Sequence, residues 1–257
     1  MMEHIANSIH EAQLVLVGIG EEFEAKRLLK SNEDYLRIIE KVQEDWIVPY
    51  VQKVMLEQIG TEVKAAYKQL SDCLNNKNYY VISLCQDGWI RSSGIDPDRI
   101  SEPCGTYEAL QCSEGCNHEL YVVPEELLAQ IKKFVAGEIP ETDLKQPVCP
   151  RCGKPLVFNQ VEAEHYVEEG YLAKWQKYKL WLQGTVNKKL CVLELGVGMK
   201  YPSVIRWPFE KIVFFNQKAE LFRVHSKLYQ MTEEIKEKGY GICSSPVDFL
   251  KELSNRF

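Results

Sequence analysis

Gln13-Leu14-Val15-Leu16-Val17-Gly18-Ile19-Gly20-Glu21-Glu22 decides how the rest of this chain is read. The apolar run Gln13 to Val17 reads as a strand, Gly18-Ile19-Gly20 as a tight turn, and the acidic stretch Glu21 to Leu29 as a helix. Strand, glycine turn and helix in that order open a nucleotide-binding α/β fold, because backbone without side chains lets a diphosphate approach the amides at a helix N-terminus. The third glycine of the full dinucleotide fingerprint is missing, and Glu21-Glu22 puts negative charge where a phosphate disfavours it. A plain strand-to-helix turn explains the stretch equally well.

Outward from this turn, helical periodicity covers about Glu33 to Leu56 and Thr61 to Leu74, and a second strand is expected at Tyr79 to Leu84. From Ser93 to Gln160 the chain changes to turn residues, prolines and cysteine pairs, with one amphipathic helix from Pro124 to Gly137. The α/β pattern resumes with a helix over Tyr171 to Leu182, a strand at Lys189 to Leu195, a helix or loop at Ser203 to Phe214, a strand at Ala219 to Val224 and a helix at Pro246 to Leu253. The fold class expected is α/β, a doubly wound, parallel Rossmann-like sheet with a smaller inserted zinc-ribbon domain. Residues 1–95 and 186–257 form the nucleotide-binding domain in this reading, and 96–185 the small zinc-binding domain.

Composition excludes several classes. The 257 residues are 45% hydrophobic and 26% charged, ordinary for a globular chain. Thirty-one Lys plus Arg against 37 Asp plus Glu give a net charge of −6, and no basic run exceeds a pair such as Lys188-Lys189, so nucleic acid is not an expected partner. The start MMEHIANSIHEAQ is acidic where a secretory signal is basic, and Leu14 to Ile19 is too short to span a membrane. A cytoplasmic location, with no membrane partner, is the expectation.

In a reducing compartment nine cysteines point to metal ligands or thiols rather than disulfides. Cys112-x3-Cys116 and Cys149-x2-Cys152 supply two knuckles of two thiolates each, which complete a tetrahedron around a structural zinc; Gly115, Pro150 and Gly153 suit the turns. Pro147 to Cys152 superficially matches half of a zinc deaminase motif, but the His-x-Glu it requires is absent, since His118 and Glu119 are adjacent.

With these segments in order, the chain resembles the sirtuin family of NAD-dependent protein deacylases and ADP-ribosyl-transferring relatives over nearly its whole length. Val17-Gly18-Ile19-Gly20 stands where the family has Gly-Ala-Gly, and Tyr80 to Gly88 is similar to its strand ending in Thr-x-Asn-x-Asp-Gly. Glu102-Pro103-Cys104-Gly105 falls at the His-Gly pair, the cysteine pairs at the zinc ribbon, Leu193 to Gly198 at Gly-Thr-Ser, and Ala219 to His225 at the strand ending in Asn. Leu195-Gly196-Val197-Gly198 followed by Ile205 to Glu210 looks closest to a divergent bacterial branch, some of whose members act in ADP-ribosylation linked to macrodomains.

The resemblance implies NAD and zinc as cofactors, NAD or ADP-ribose as ligand, and an acylated or ADP-ribosylated protein as partner. It implies cofactor contacts at Gly18, Gly20, Asp87, Gly196, Gly198 and His225, and places Cys104, Cys85 and Asp87 at the catalytic positions. Cys104 replaces the general base and Cys85 the ribose-orienting asparagine. A thiol's reference pKa near 8.5, against about 6.5 for imidazole, bars Cys104 from the same proton relay unless it is shifted. Glu21-Glu22-Phe23 also departs from the family's serine and its cofactor loop. A deacylase or ADP-ribosyltransferase with altered catalytic positions is one expectation. The other is a catalytically silent module that binds NAD or ADP-ribose, or presents its zinc unit to a protein.

Overall fold

The computed structural model describes all 257 residues. Its elements are α1 (Met2–Glu11), β1 (Leu14–Ile19), α2 (Glu33–Ile39), α3 (Val48–Ile59), α4 (Thr61–Cys73), β2 (Tyr79–Ser83), β3 (Ile100–Ser101), β4 (Gly105–Cys112), β5 (Tyr121–Val122), α5 (Glu125–Val135), β6 (Leu156–Gln160), α6 (Glu169–Gln183), β7 (Leu190–Leu195), α7 (Arg206–Phe215), β8 (Ala219–Val224), β9 (Gly239–Ile242) and α8 (Pro246–Ser254).

Every residue of β1 and β7 is buried, as a strand covered on both faces requires. Alternate side chains serve opposite layers: Val15, Val17, Leu193, Phe222 and Val224 join one core, while Leu14, Leu16, Val192 and Leu221 join a second with Tyr178, Phe209 and Val213. The result is a six-stranded, wholly parallel sheet in the order β3-β2-β1-β7-β8-β9. Strand order reverses between β1 and β7, and the crevice of a doubly wound sheet opens at the carboxyl ends of those strands. No helix is long and apolar enough to cross a membrane.

Between β3 and α6 lies a three-stranded antiparallel sheet in the order β5-β4-β6. Gly105 opens β4 at φ +70°, where a Cβ would stand 2.0 Å from the Asn159 carbonyl oxygen; only glycine lets β4 meet β6 there. This small sheet shares its core with the helices beside it. Phe158 packs on Tyr50 of α3 with ring centroids 4.6 Å apart, and Leu127 and Ile131 of α5 belong to the same cluster as Val54.

Three local expectations change. Glu21 to Leu29 forms a turn and then a 3₁₀ helix at Ala25–Ser31, because the carboxylates of Glu21, Glu22 and Glu24 bond to distant loops instead of continuing a helix. The single helix expected from Glu33 to Leu56 is two, with Pro49 in the first turn of α3. β9 and α1 carry no strong sequence signal; Gly239-Tyr240-Gly241-Ile242 is too short and glycine-rich to stand out, yet it pairs with Leu221 to Val224.

Candidate functional site

Four loops converge at the carboxyl ends of β1, β2, β7 and β8, carrying Gly20 to Glu24, Leu84 to Gly88, Gly196 to Lys200 and His225 to Leu228. The fold thus brings Gly18, Gly20, Cys85, Asp87, Cys104, Gly196, Gly198 and His225 into one region, and all of them are buried. A surface depression of about 540 Å³ lies at the other ends of the strands, around Lys189 and Lys218.

Glu24, Cys85 and Asp87 offer ligand atoms within 4.8 Å of one another. The Cys85 thiol donates to the Gly20 carbonyl at 3.4 Å, which marks it as a neutral packing group. Asp87 accepts from the Trp89 N–H at 3.0 Å and from the Tyr67 hydroxyl at 3.3 Å, and Glu24 accepts from the Gln86 N–H at 2.6 Å. Burial, then the charge of Glu24, pushes the Asp87 carboxyl well above the usual range; burial also raises Glu24, against the Gln86 N–H that opposes it. Such carboxyls bind more protons folded than unfolded, so they favour folding at acid pH and withdraw that support as pH rises above their ordinary values near 4. Asp87→Asn is therefore expected to raise Tm at pH 8 by roughly 2–4 °C and to flatten the pH dependence of stability. Thermal melts at pH 5 and pH 8 check this; an unchanged slope between them refutes it.

Cys104 precedes β4 and is also buried: burial, followed by the Glu162 carboxylate, pushes its thiol up to about 12. Around it, Gln86 Nε2 donates to the Cys104 carbonyl at 3.3 Å and to Glu162 at 2.7 Å, and Lys200 Nζ donates to the other oxygen of Glu162 at 2.7 Å. Sequence reading missed Glu24, Gln86, Glu162 and Lys200, for they sit in loops of no recurring spacing. Tyr67 was hidden in the periodicity of α4.

The glycines pack the loops against one another. A Cβ on Gly20 would lie 2.3 Å from the Val197 Cα, and one on Gly18 would lie 2.4 Å from Ile205 Cγ2. Because the Gly20 contact is with backbone, Gly20→Ala is expected to cost about 1–3 kcal/mol, read by urea denaturation; an unchanged midpoint would show that the two loops are not held this closely. Gly196, at φ +66°, faces Phe23 N and Glu22 Cβ. Glu21 accepts from the N–H groups of Gly198 at 2.7 Å and Lys200 at 3.1 Å, and Glu22 accepts from Ser226 at 2.9 Å with His225 Nδ1 3.2 Å away. His225 Nδ1 in turn accepts from Lys227 and Leu228 N–H. Arg206 ties the two loops together, donating to the carbonyls of Val197 at 2.9 Å and Leu228 at 2.7 Å.

The second centre is on the small sheet. Cys112 and Cys152 sulfurs are 3.5 Å apart, Cys116 and Cys149 3.6 Å, and all four lie within 4.8 Å. A tetrahedral zinc with Zn–S about 2.3 Å places sulfurs about 3.8 Å apart, so the donor set fits that ion. Burial opposes thiolate formation at Cys149, but N–H groups of Cys152 and Arg151 overcome it and hold the thiol down at about 6. Asn117 Nδ2 donates to Cys116 at 3.1 Å.

The parallel sheet in Rossmann order with its inserted small sheet is a fold known from solved structures. Three solved Sir2 structures share it: a Sir2Tm bound to a propionylated peptide, 14% identical with TM-score 0.56 over 99% of this chain and 97% of that one; a Sir2 enzyme, 16% identical with TM-score 0.56 over 99% and 96%; and a Sir2 homolog–NAD complex, 11% identical with TM-score 0.54 over 98% and 92%. The fold is the Sir2 fold, and the resemblance read from the sequence stands. By sequence, the chain is similar to a protein ADP-ribosyltransferase of Staphylococcus aureus, 23% identical over 92% of this chain and 81% of that protein. It is also 29% identical, over 69% of its length, to a probable bifunctional ADP-ribose hydrolase/ADP-ribosyltransferase of Fusarium oxysporum, of which the match spans only 31%. No family model matches the chain.

Proposed function

We propose that this chain binds NAD and transfers ADP-ribose to a protein acceptor, with zinc held structurally by Cys112, Cys116, Cys149 and Cys152. One observation supports the reading: the loops at the carboxyl ends of β2, β7 and β8 carry buried Asp87 and the anion-binding backbone N–H groups of Gly198, Lys200 and Ser226, at the switch point of a Sir2 fold. Both curated relatives are named as ADP-ribosyltransferases, which supports transfer rather than simple deacylation. The proposed division remains a nucleotide-binding unit of 1–95 with 186–257 and a zinc-binding unit of 96–185.

In this proposal the backbone donors of the loops after β7 and β8 hold the diphosphate, and Gly18, Gly20, Gly196 and Gly198 let the loops around the crevice pack closely enough to present them. His225 stands at the adenosine end. NAD supplies the glycosidic bond to be broken. Asp87, with Glu24 beside it, accepts hydrogen bonds from sugar hydroxyls and holds a proton, and the buried walls exclude water. In this proposal Cys104 and Cys85 do not serve as base or ribose amide, because burial pushes both thiols upward. That same pair of thiols favours a second reading, a silent member that binds NAD or ADP-ribose without turnover.

Calorimetric titration of NAD and ADP-ribose, paired with nicotinamide release, separates the two. Transfer predicts release that falls about 10²-fold or more in Asp87→Asn and stays within about twofold in Cys104→Ala. Binding without release selects the silent module, and neither binding nor release removes the nucleotide site. Deacylation of an acetylated peptide is expected to be minimal; robust turnover lost in Cys104→Ala would reinstate that thiol.

A further inference from the structure

Beyond the proposed function, and resting on it, the crevice contains a feature that the glycine pattern did not announce. The backbone donors suited to a diphosphate are engaged by the chain's own carboxylates. Glu21 takes the N–H groups of Gly198 and Lys200, and Glu22 takes that of Ser226, at 2.7, 3.1 and 2.9 Å. The two residues are consecutive, yet their side chains reach separate loops, one after β7 and one after β8. Their backbone is fixed beneath them: the Glu22 N–H donates to the Gly196 carbonyl at 2.9 Å, and Phe23 is fully buried against Tyr67, with ring centroids 4.7 Å apart.

We infer that Glu21 and Glu22 form an internal plug, two carboxylates that mimic the anionic ligand and must be displaced before a nucleotide diphosphate can enter. The turn presents the acids and Phe23 anchors them, so side-chain rotation is sufficient to open the donors without unfolding the loop. A carboxylate and a phosphate compete for the same N–H groups, and the charge of whichever acid remains nearby repels the incoming anion. The apparent dissociation constant therefore equals the intrinsic one divided by the open fraction; a plug closed about 90–99% of the time weakens binding about 10–100-fold. The neighbouring charges set the balance: Glu24 and Glu162 add to the repulsion, while Lys200, already paired with Glu162, and Arg206, paired with Glu194, offset it only in part.

The test compares the unmodified chain with Glu21→Ala/Glu22→Ala by calorimetry, using ADP-ribose and, separately, inorganic pyrophosphate. The plug predicts at least tenfold tighter binding of both ligands by the double variant. It also predicts at least tenfold faster amide hydrogen exchange at Gly198, Lys200 and Ser226 in the free variant, slowed again by either ligand. Equal or weaker binding by the variant overturns the plug and leaves the nucleotide site standing. Pyrophosphate binding gained by the variant without any ADP-ribose binding supports the plug and overturns the nucleotide reading. Binding of neither ligand to either protein overturns both. Should the double variant fail to fold by circular dichroism, Glu21→Ala alone is the substitute, with a gain of about threefold or more expected for pyrophosphate; no gain overturns the plug.

Discussion

Cys149→Ser is expected to abolish stoichiometric zinc binding and to lower the melting temperature of the whole chain, not of the small sheet alone. Four thiolates close the coordination sphere, and a structural zinc contributes apparent binding energies of about 10–16 kcal/mol in isolated finger peptides, so losing one ligand removes most of what orders the two knuckles. Such damage spreads beyond the inserted unit, because Tyr50, Val54, Leu127, Ile131 and Phe158 form one continuous core across α3, α5 and β6. Elemental analysis should fall from one zinc per chain to near zero, and calorimetry should show a single transition shifted downward. A metal-free protein of undiminished stability, or an unshifted main transition, would refute this.

Arg223→Ala is the second change expected to be severe. Glu194 of β7 is wholly inaccessible and receives two bonds from the Arg223 guanidinium, at 2.6 and 3.0 Å, while Arg223 also donates to Glu210 at 2.7 Å and Arg206 stands 3.6 Å from Glu194. Removing Arg223 leaves a buried carboxylate short of its main counter-charge, at a cost of about 3–5 kcal/mol. Burial already pushes the Glu194 carboxyl upward and Arg223 opposes it. Without the guanidinium, Glu194 retains a proton in the folded state that it loses unfolded, so the variant's deficit should grow as pH rises from 5 to 8. Glu194→Gln in the same chain should recover much of the loss, since no buried charge then lacks a partner. Urea titrations of the single and double variants complete the cycle; a double variant no more stable than Arg223→Ala would show that packing, not charge, is responsible.

The sheet was legible because buried parallel strands are continuous apolar runs: Leu14 to Ile19, Tyr79 to Leu84, Lys189 to Leu195 and Ala219 to Val224 stand out against their surroundings. The cysteine tetrad was legible because metal geometry dictates short spacing within each knuckle. Glu21 to Leu29 misled, since its helix-forming residues spend their carboxylates on loops more than 60 residues away, and no local rule contains that information. The glycines carry a packing requirement that the sequence does not display. Gly18 and Gly20 were matched to a phosphate turn, and Ile205 and Val197 also require their lack of a Cβ. Cys85 and Cys104 were singled out by position alone; that burial pushes both thiols upward is visible only in the fold.

The central place of β1 has a kinetic consequence. Leu14 pairs with Leu190 and Val15 with Cys191, so β1 is flanked on one side by a strand that lies far downstream of it in the chain. Closing so long a loop is entropically slow, and until it closes β1 and β2 expose an unpaired apolar edge where β7 will dock. A nascent chain stalled before residue 190 should thus be sticky and protease-sensitive, with the crevice still unformed, and the arrival of β7 is the step that commits the molecule to its native topology.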